Sequence, residues 1–397
     1  MKNTNYDRVE IMLRKLPATA LCVLVTSPAL AGGWETGRLD TSFLYEDGNY
    51  LELSYGNLNY SVNGTTQAGV THPMAKNQTR TSISGKFQLG DFDIGLTSFG
   101  SGAIQMDGQN PATIQTTGPL APTPLALSVV PGADVKLDTQ AIMGRYSFND
   151  NWSTTVGLRQ IKLKPSTVTT LAAEYAIDST SKTGMVYGVT YEIPKYALKI
   201  EVLQSEAITM GLTGTATNAN FSSPFDLAAT AEVKIPEATT LKVETGIAEN
   251  TLLMISAHRV KWKSSQIVVD VAGVPNIPGV IASDSLDTGS NFSNTTSYSV
   301  GLGRKLSEST AVSLTYSWED GAGAAATSPF TMSNGSKTLS AGVKHKIDAF
   351  TISAGVSYTK AGDVDVIHMV GGTPSGYKAS YAGNSVTAFG LKLGYNF

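Results

Sequence analysis

The sequence predicts an all-β fold, a transmembrane antiparallel β-barrel of about 14 strands with a short N-terminal plug in its lumen. Three observations predict it. Segments of alternating apolar and polar residues recur along the chain, short and long connections alternate between them, and the last segment ends on the aromatic residue Phe397. Charged residues make up only 15% of the chain, whereas about 25% is usual in soluble domains.

The alternation is clearest in the last segment, residues 385–397, which reads SVTAFGLKLGYNF. One face carries Phe389, Leu391, Leu393, Tyr395 and Phe397, and the other carries Ala388, Gly390, Lys392, Gly394 and Asn396. Successive side chains of a strand point to opposite faces, so we expect the first set to face lipid and the second the lumen.

The connections alternate in length. Tight ones are predicted at residues 90–91, 149–151, 192–195, 249–250, 307–309 and 348–349. Long stretches rich in Gly, Thr, Ser and Pro lie at residues 64–79, 102–134, 165–181, 209–231, 263–294, 319–335 and 361–384. Short turns on one rim and long, extracellular loops on the other are typical of outer-membrane barrels, and they favour a barrel over a soluble β-sandwich.

The N-terminal end reads as an export signal. Residues 1–31 combine Arg14 and Lys15, a short apolar run and an A-x-A cleavage site at residues 29–31, which predicts export and a bacterial outer-membrane location. Met12 is an alternative start to Met1. The single cysteine, Cys22, falls within the signal. We assign residues 32–48 to a hatch or plug segment and residues 49–397 to the barrel.

In the first strand the apolar residues change face. Leu51, Leu53 and Tyr55 share one parity, and Leu58 and Tyr60 share the other. Because an extra residue in a strand reverses the facing of all that follow, this pattern predicts a β-bulge at residues 56–57.

Several segments, in order, resemble the FadL-like family of outer-membrane long-chain fatty-acid transporters. They are FLYEDGNYLELSYG at the start of the barrel, FDIGLTSFGSG in the third strand, VKIPEATTLKVETGIAENTLLMISAHRVKWKSSQI in the middle, TTSYSVGLGRKLSESTAVSLTYSWE, and the closing AFGLKLGYNF. The Asn-Pro-Ala motif usual in the family's hatch is absent from the corresponding stretch, so we expect a reduced hatch.

The resemblance implies a mechanism. Hydrophobic molecules are captured by the extracellular loops, pass to a pocket in the lumen, and leave sideways through the wall beside a kinked strand. By this resemblance Ser98, Phe99, Gly100 and Ser101 would form the kink. A sideways exit suits an acyl chain, which gains about 0.8 kcal/mol for each CH₂ it buries in the membrane.

The residues also suggest a lumenal ligand site. Arg159 stands near Ile161, and Arg259 and Lys261 stand near Leu253 and Ile255. An apolar lining with a few cations suits an amphipathic anion such as a fatty acid. The facing of the strand near residue 255 is ambiguous, because Leu252, Met254 and Val260 make an equally apolar opposite face.

Apolar residues in the long loops are candidates for the capture groove, since exposed apolar patches commonly mark binding surfaces. They are Val129, Val130, Phe221, Phe225, Leu227, Ile277 and Ile281.

These features favour transport of long-chain fatty acids or other hydrophobic small molecules. The further partners expected are outer-membrane lipid and lipopolysaccharide, and the barrel-assembly machinery, which would read the C-terminal strand. No cofactor, metal or nucleic acid is expected, and catalysis is disfavoured although Ser256 and His258 share a face. A general diffusion porin is the main alternative, and an adhesin is a lesser one.

Overall fold

A computed structural model describes residues 33–35, 37–66, 69, 71–107, 132–169, 173–218, 225–271, 285–287, 290–321, 325–328, 330–370 and 373–397. The predicted export signal, residues 1–31, lies outside them. Helical structure in this part of the chain consists of short 3₁₀ turns, none long or apolar enough to cross a membrane.

Fourteen strands form the wall. In chain order they are β1 (Tyr50–Ser61), β2 (Gln78–Leu89), β3 (Phe92–Asp107), β4 (Gly132–Ser147), β5 (Trp152–Leu163), β6 (Thr180–Ile193), β7 (Leu198–Ser205), β8 (Ala238–Ala248), β9 (Thr251–Val260), β10 (Thr295–Lys305), β11 (Thr310–Glu319), β12 (Ser336–Ile347), β13 (Phe350–Ala361) and β14 (Ser385–Asn396). Each pairs antiparallel with the next, and β1 pairs with β14 from Tyr50↔Asn396 to Ser61↔Ser385. The closed antiparallel barrel of about 14 strands is confirmed.

The outer face is apolar, as the alternation in β14 predicts. Phe389, Leu391, Leu393 and Tyr395 are each about 40% exposed, whereas Gly394 between them is buried. Aromatic rings gather at the rim of the short turns: the Phe350 and Tyr395 centroids lie 4.8 Å apart. Such a rim is where aromatic side chains meet the membrane–water interface.

On the opposite rim the long connections contain further strands. Ile208–Asn218 and Phe225–Ile235 form a hairpin that continues β7 and β8 beyond the wall. Ser166–Thr169, Glu174–Ile177, Val268–Val271 and Ser285–Asp287 extend this sheet on its two sides. A second sheet combines Asn63–Thr66, Thr71–Pro73, Ala325–Ala326, Val364–Val370 and Thr373–Tyr381.

The lumen has two unlike halves. Towards the short turns it holds buried charged side chains, which we call the charge belt: Glu52, Lys86, Asp93, Arg145, Lys199, Glu201, Lys242, Glu244, Lys344 and Lys392. Towards the long connections it holds an apolar cluster, the inner apolar cluster, whose members include Leu58, Val62, Ile104, Leu137, Ile161, Leu163, Met210 and Trp262.

The bulge predicted at residues 56–57 is wrong. β1 pairs with β14 and with β2 through this stretch with no register shift. The apolar residues change face because the surroundings change: Leu53 is 50% exposed on the outside, and Leu58 is 4% exposed within the inner apolar cluster. In the half of β1 near the short turns the apolar side chains face lipid. In the half near the long connections they face the lumen.

The apolar outer face leads to a prediction about the free energy of unfolding. Leu314 lies midway along β11 with its side chain 54% exposed outwards, so Leu314→Arg should lower the free energy of unfolding by about 2–4 kcal/mol in lipid vesicles. Leu306, 63% exposed in a short turn, is the control, and Leu306→Arg should cost about 0–1 kcal/mol. Urea titration of the folded barrel measures both, and equal costs would contradict a membrane-facing wall.

Candidate functional site

The N-terminal segment 33–48 lies inside the barrel, and we call it the plug. Its 3₁₀ turn, Ser42–Tyr45, buries Phe43 and Leu44 completely. Gly95 of β3 makes this possible, because a Cβ there would stand 2.3 Å from Leu44 Cδ2. The lumenal plug predicted from the sequence is therefore present.

Ion pairs tie the plug to the charge belt. Asp40 lies 3.4 Å from Lys242 Nζ and 3.9 Å from Lys392 Nζ, and Glu46 lies 3.6 Å from Lys344 Nζ. Burial raises the pKa of Asp40, but the two lysines lower it well below its usual range, so the carboxylate stays charged. The plug thus adds a negative charge beside two half-buried lysines, which also pair with Glu201 and Glu52 of the wall.

Tyr45 occupies the centre of the belt. The Arg145 guanidinium and the Lys199 ammonium each lie 4.5 Å from its ring centroid, a distance typical of cation–π contacts. Its hydroxyl lies 2.6 Å from Thr190 Oγ1. The neighbouring Thr41 Oγ1 donates to Glu201 Oε1 at 2.7 Å. These contacts leave the short-turn half of the lumen closed by side chains.

Glu35 anchors the other end of the plug. His258 Nε2 lies 2.9 Å from Glu35 Oε2, and Arg38 Nε donates to the same oxygen at 3.4 Å. Burial raises the pKa of Glu35, but His258 and Arg38 outweigh it and lower the pKa to about 2. Arg38 Nη2 also donates to Ser297 Oγ at 2.9 Å, which ties the plug to β10.

The wall has a gap between β2 and β3. Their pairing runs from Leu89↔Phe92 to Ser82↔Phe99 and stops there, while β3 continues beside β4 as far as Asp107. A register shift in the β3–β4 pairing leaves Ser101 as the extra residue of a bulge. The bulge thus falls within residues 98–101, and the lateral opening expected there stays a prediction.

Two other segments occupy the free edge of β3. Gly37 N donates to Ser101 O at 3.1 Å, and Ala103 N donates to Trp34 O at 2.9 Å, so the plug pairs with β3 just past the bulge. Asp107 N donates to Met74 O at 2.9 Å. The β3 backbone is satisfied by the plug and by the first long connection in place of β2.

Three adjoining cavities lie along this region. The upper cavity, about 760 Å³ of space that is partly open to solvent, is almost wholly apolar. Its lining includes Trp34, Ile104, Val135, Leu163, Met210 and Phe330. The middle cavity, about 680 Å³, shares Trp34 and Leu137 with it and adds Glu35, Arg38, Arg159 and His258.

The third cavity, about 720 Å³, shares Gly37, Arg38 and Phe99 with the middle one. Its lining includes Glu52 from the lumenal face and Tyr55, which is 45% exposed on the outer face. The series of cavities therefore leads from the apolar lumen, past the plug, to the gap in the wall.

The structure places two of the six predicted ligand-binding residues in the lumen, and their binding of a ligand stays a prediction. Arg159 and Ile161 face inwards and line the middle cavity. The inward facing of Leu253, Ile255 and Arg259 is wrong: Ile255 is 42% exposed outside, and His258 and Val260 take the inner face. Lys261 lies just past β9, half-exposed, and pairs with Glu237.

The predicted capture groove is covered only in part. Val129, Val130, Phe221, Ile277 and Ile281 lie outside the described residues. Phe225 begins its hairpin strand, and nothing is described of its side chain. Leu227 is partly buried against a small apolar cluster that contains Tyr175 and Val269.

The sequence reasoning missed Trp34, Arg38 and the role of His258. Trp34 is 4% exposed, and its ring centroid lies 6.2 Å from that of Trp262 and 6.3 Å from that of Phe292. The one available signal was a tryptophan in a short polar segment outside any strand.

Hydroxyl groups near His258 do not form a serine–histidine pair. Ser256 does face inwards, but its Oγ lies 2.7 Å from Ser299 Oγ, while His258 Nδ1 lies 2.8 Å from Thr240 Oγ1. Within the described ranges no three His, Cys, Asp or Glu side chains are grouped as metal ligands.

The chain matches no family model and no curated protein sequence. Its three-dimensional form is similar to that of a Pseudomonas aeruginosa FadL homologue, with a TM-score of 0.70 at 13% identity over 94% of this chain and 98% of that one. It has the fold of the FadL-type barrels. The Ralstonia pickettii toluene transporter TbuX (TM-score 0.63, 11% identity, 95% and 100% covered) and the Pseudomonas putida toluene transporter TodX (0.62, 12%, 96% and 98%) share this fold.

The burial of Phe43 leads to a prediction about the plug of this FadL-type barrel. Phe43→Ala removes a fully buried ring and should weaken plug docking by about 3–5 kcal/mol while leaving the wall intact. Hydrogen exchange in residues 37–48 should speed up, and exchange in β11 should not. Phe148→Ala, at a ring 59% exposed, is the control and should change neither. Unchanged exchange in the Phe43 variant would contradict a docked plug.

Proposed function

We propose that this protein is an outer-membrane channel for the uptake of hydrophobic small molecules, with long-chain fatty acids as its substrates. Molecules are captured among the long connections, enter the upper cavity, and leave sideways through the gap between β2 and β3. The observation that carries the proposal is the row of three adjoining cavities, which share lining residues and lie between the apolar lumen and that gap.

The upper cavity supports an apolar cargo. Its exposed lining is almost wholly apolar, and a cavity of this kind binds molecules that lose water-exposed apolar surface on entry. Solved structures that share the fold include a FadL homologue and toluene transporters, which agrees with such a cargo. Arg159 in the middle cavity is the remaining candidate partner for a fatty-acid carboxylate.

The lateral route is supported by the composition of the short-turn half. There Phe43, Leu44 and the charge belt fill the lumen, so an axial exit would bring an apolar molecule against paired charges. The gap offers an exit beside lipid, which an acyl chain prefers to water. Leu227 and its neighbouring cluster are proposed as part of the capture surface.

The same proposal gives the cellular location and the partners of the protein. The export signal directs the chain to the outer membrane, the assembly machinery reads β14 and Phe397, and lipopolysaccharide contacts the outer face near the long connections.

Gly100→Trp tests the lateral route. A Cβ at Gly100 would have no atom within 4 Å, so the position has room for a side chain, and an indole there would obstruct the third cavity. Uptake of labelled oleate by a host lacking its own transporter should fall to the level of the empty vector.

Leu306→Trp is the control, because Leu306 is 63% exposed in a short turn and lines none of the three cavities. It should transport at the wild-type rate. Normal uptake by the Gly100 variant would contradict exit through the gap.

Conductance separates the channel from a diffusion porin. Since the plug and the charge belt fill the short-turn half, single barrels in planar bilayers should show no large, steady ion current. A stable porin-like current from the wild-type protein would contradict the proposed function.

A further inference from the structure

One buried hydrogen-bond donor in the cavities lacks an acceptor. The indole Nε1 of Trp34 is buried and makes no hydrogen bond to the described part of the protein. Trp34 lines both the upper and the middle cavity, at the point where they join. Burying an N–H group without an acceptor is unfavourable, so a ligand atom that accepts from it would stabilise this position.

A second donor of this kind lies in the middle cavity. Arg159 Nη2 donates to the Glu206 carbonyl oxygen at 2.6 Å, but Arg159 Nε is buried with no acceptor among the described residues. Arg159 projects from β5, whereas Trp34 belongs to the plug. Two independent elements therefore present an unsatisfied N–H in the lining of one cavity.

The acidic side chain that lines this cavity does not accept a hydrogen bond from either donor. Glu35 lines the same cavity, but its carboxylate is hydrogen-bonded to His258 and Arg38. The exposed lining of the upper cavity is almost wholly apolar, and Thr213, Thr215 and Thr230 are the polar side chains among the residues that form it. An acceptor brought by a ligand would complete the site.

We propose that the two cavities together select an apolar molecule that carries one hydrogen-bond-accepting oxygen group at its end. The oxygen accepts from Trp34 Nε1 and Arg159 Nε in the middle cavity, and the apolar body fills the upper cavity. The inference rests on the proposed function and names the two N–H groups that hold the terminal oxygen of its substrate. A hydrocarbon of the same size leaves both donors unsatisfied and binds less tightly.

Three ligands with the same chain test this selectivity: oleate, methyl oleate and cis-9-octadecene. Binding of each to the purified full-length barrel in detergent is measured for wild type and for Trp34→Phe, which keeps an aromatic ring and removes the N–H. The variant should bind oleate and methyl oleate about tenfold more weakly and cis-9-octadecene almost as well as wild type. Equal weakening for all three ligands would overturn the proposal.

Trp262→Phe is the matched control. Trp262 packs against Trp34 and lines the middle cavity, but its Nε1 is not one of the buried donors that lack an acceptor. This variant should affect the three ligands alike. A loss confined to the oxygenated ligands in the control as well would assign the selectivity to packing and overturn the role of Trp34.

Arg159→Gln tests the second donor from the wall, without altering the plug. It should weaken oleate most, methyl oleate less and cis-9-octadecene least, because the guanidinium adds charge to its hydrogen bond. No change in oleate binding would overturn the role of Arg159. Failure of the wild-type protein to bind any of the three ligands would instead count against the proposed function itself.

Discussion

The rest of the structure depends on one constraint: the backbone N–H and C=O groups of a membrane wall must be paired, because lipid cannot hydrogen-bond to them. β2 stops pairing with β3 at Phe99, and the β3 edge beyond it would otherwise be open. The plug backbone at residues 34–37 and the first long connection near Met74 take the place of β2. The gap in the wall and the docked plug are therefore two parts of one arrangement.

The division of the lumen follows from what fills each half. Charged side chains such as Lys199 and Glu244, each 4% exposed, remain buried because they pair with one another and with the plug. In the part of the chain that the structure describes, the half near the long connections is filled mainly by aliphatic and aromatic side chains. The plug spans the boundary, with Tyr45 among the charges and Trp34 among the apolar side chains.

The sequence predicted the wall well and the lumen less well, for physical reasons. In β14 the side chains at every second position contact lipid and are therefore apolar. The outward facing of Leu391 and Leu393 could be predicted from this alternation. In β9 both faces are apolar, one towards lipid and one towards the upper lumen, so the alternation could not place Ile255. The plug has no periodicity, and its contact between Glu35 and His258 joins residues 223 positions apart, which no local pattern encodes.

The unbroken register of β1 through Gly56 has a wider consequence. In such a strand the apolar side chains change face without a bulge. The position of the change marks the depth at which the lumen turns from polar to apolar. β5 carries the same mark: Val156 and Leu158 are exposed outside, Ile161 and Leu163 are buried inside, and its pairing with β4 is continuous. Hydropathy along single strands thus measures how far water reaches into a barrel of this kind, in related sequences as well as in this one.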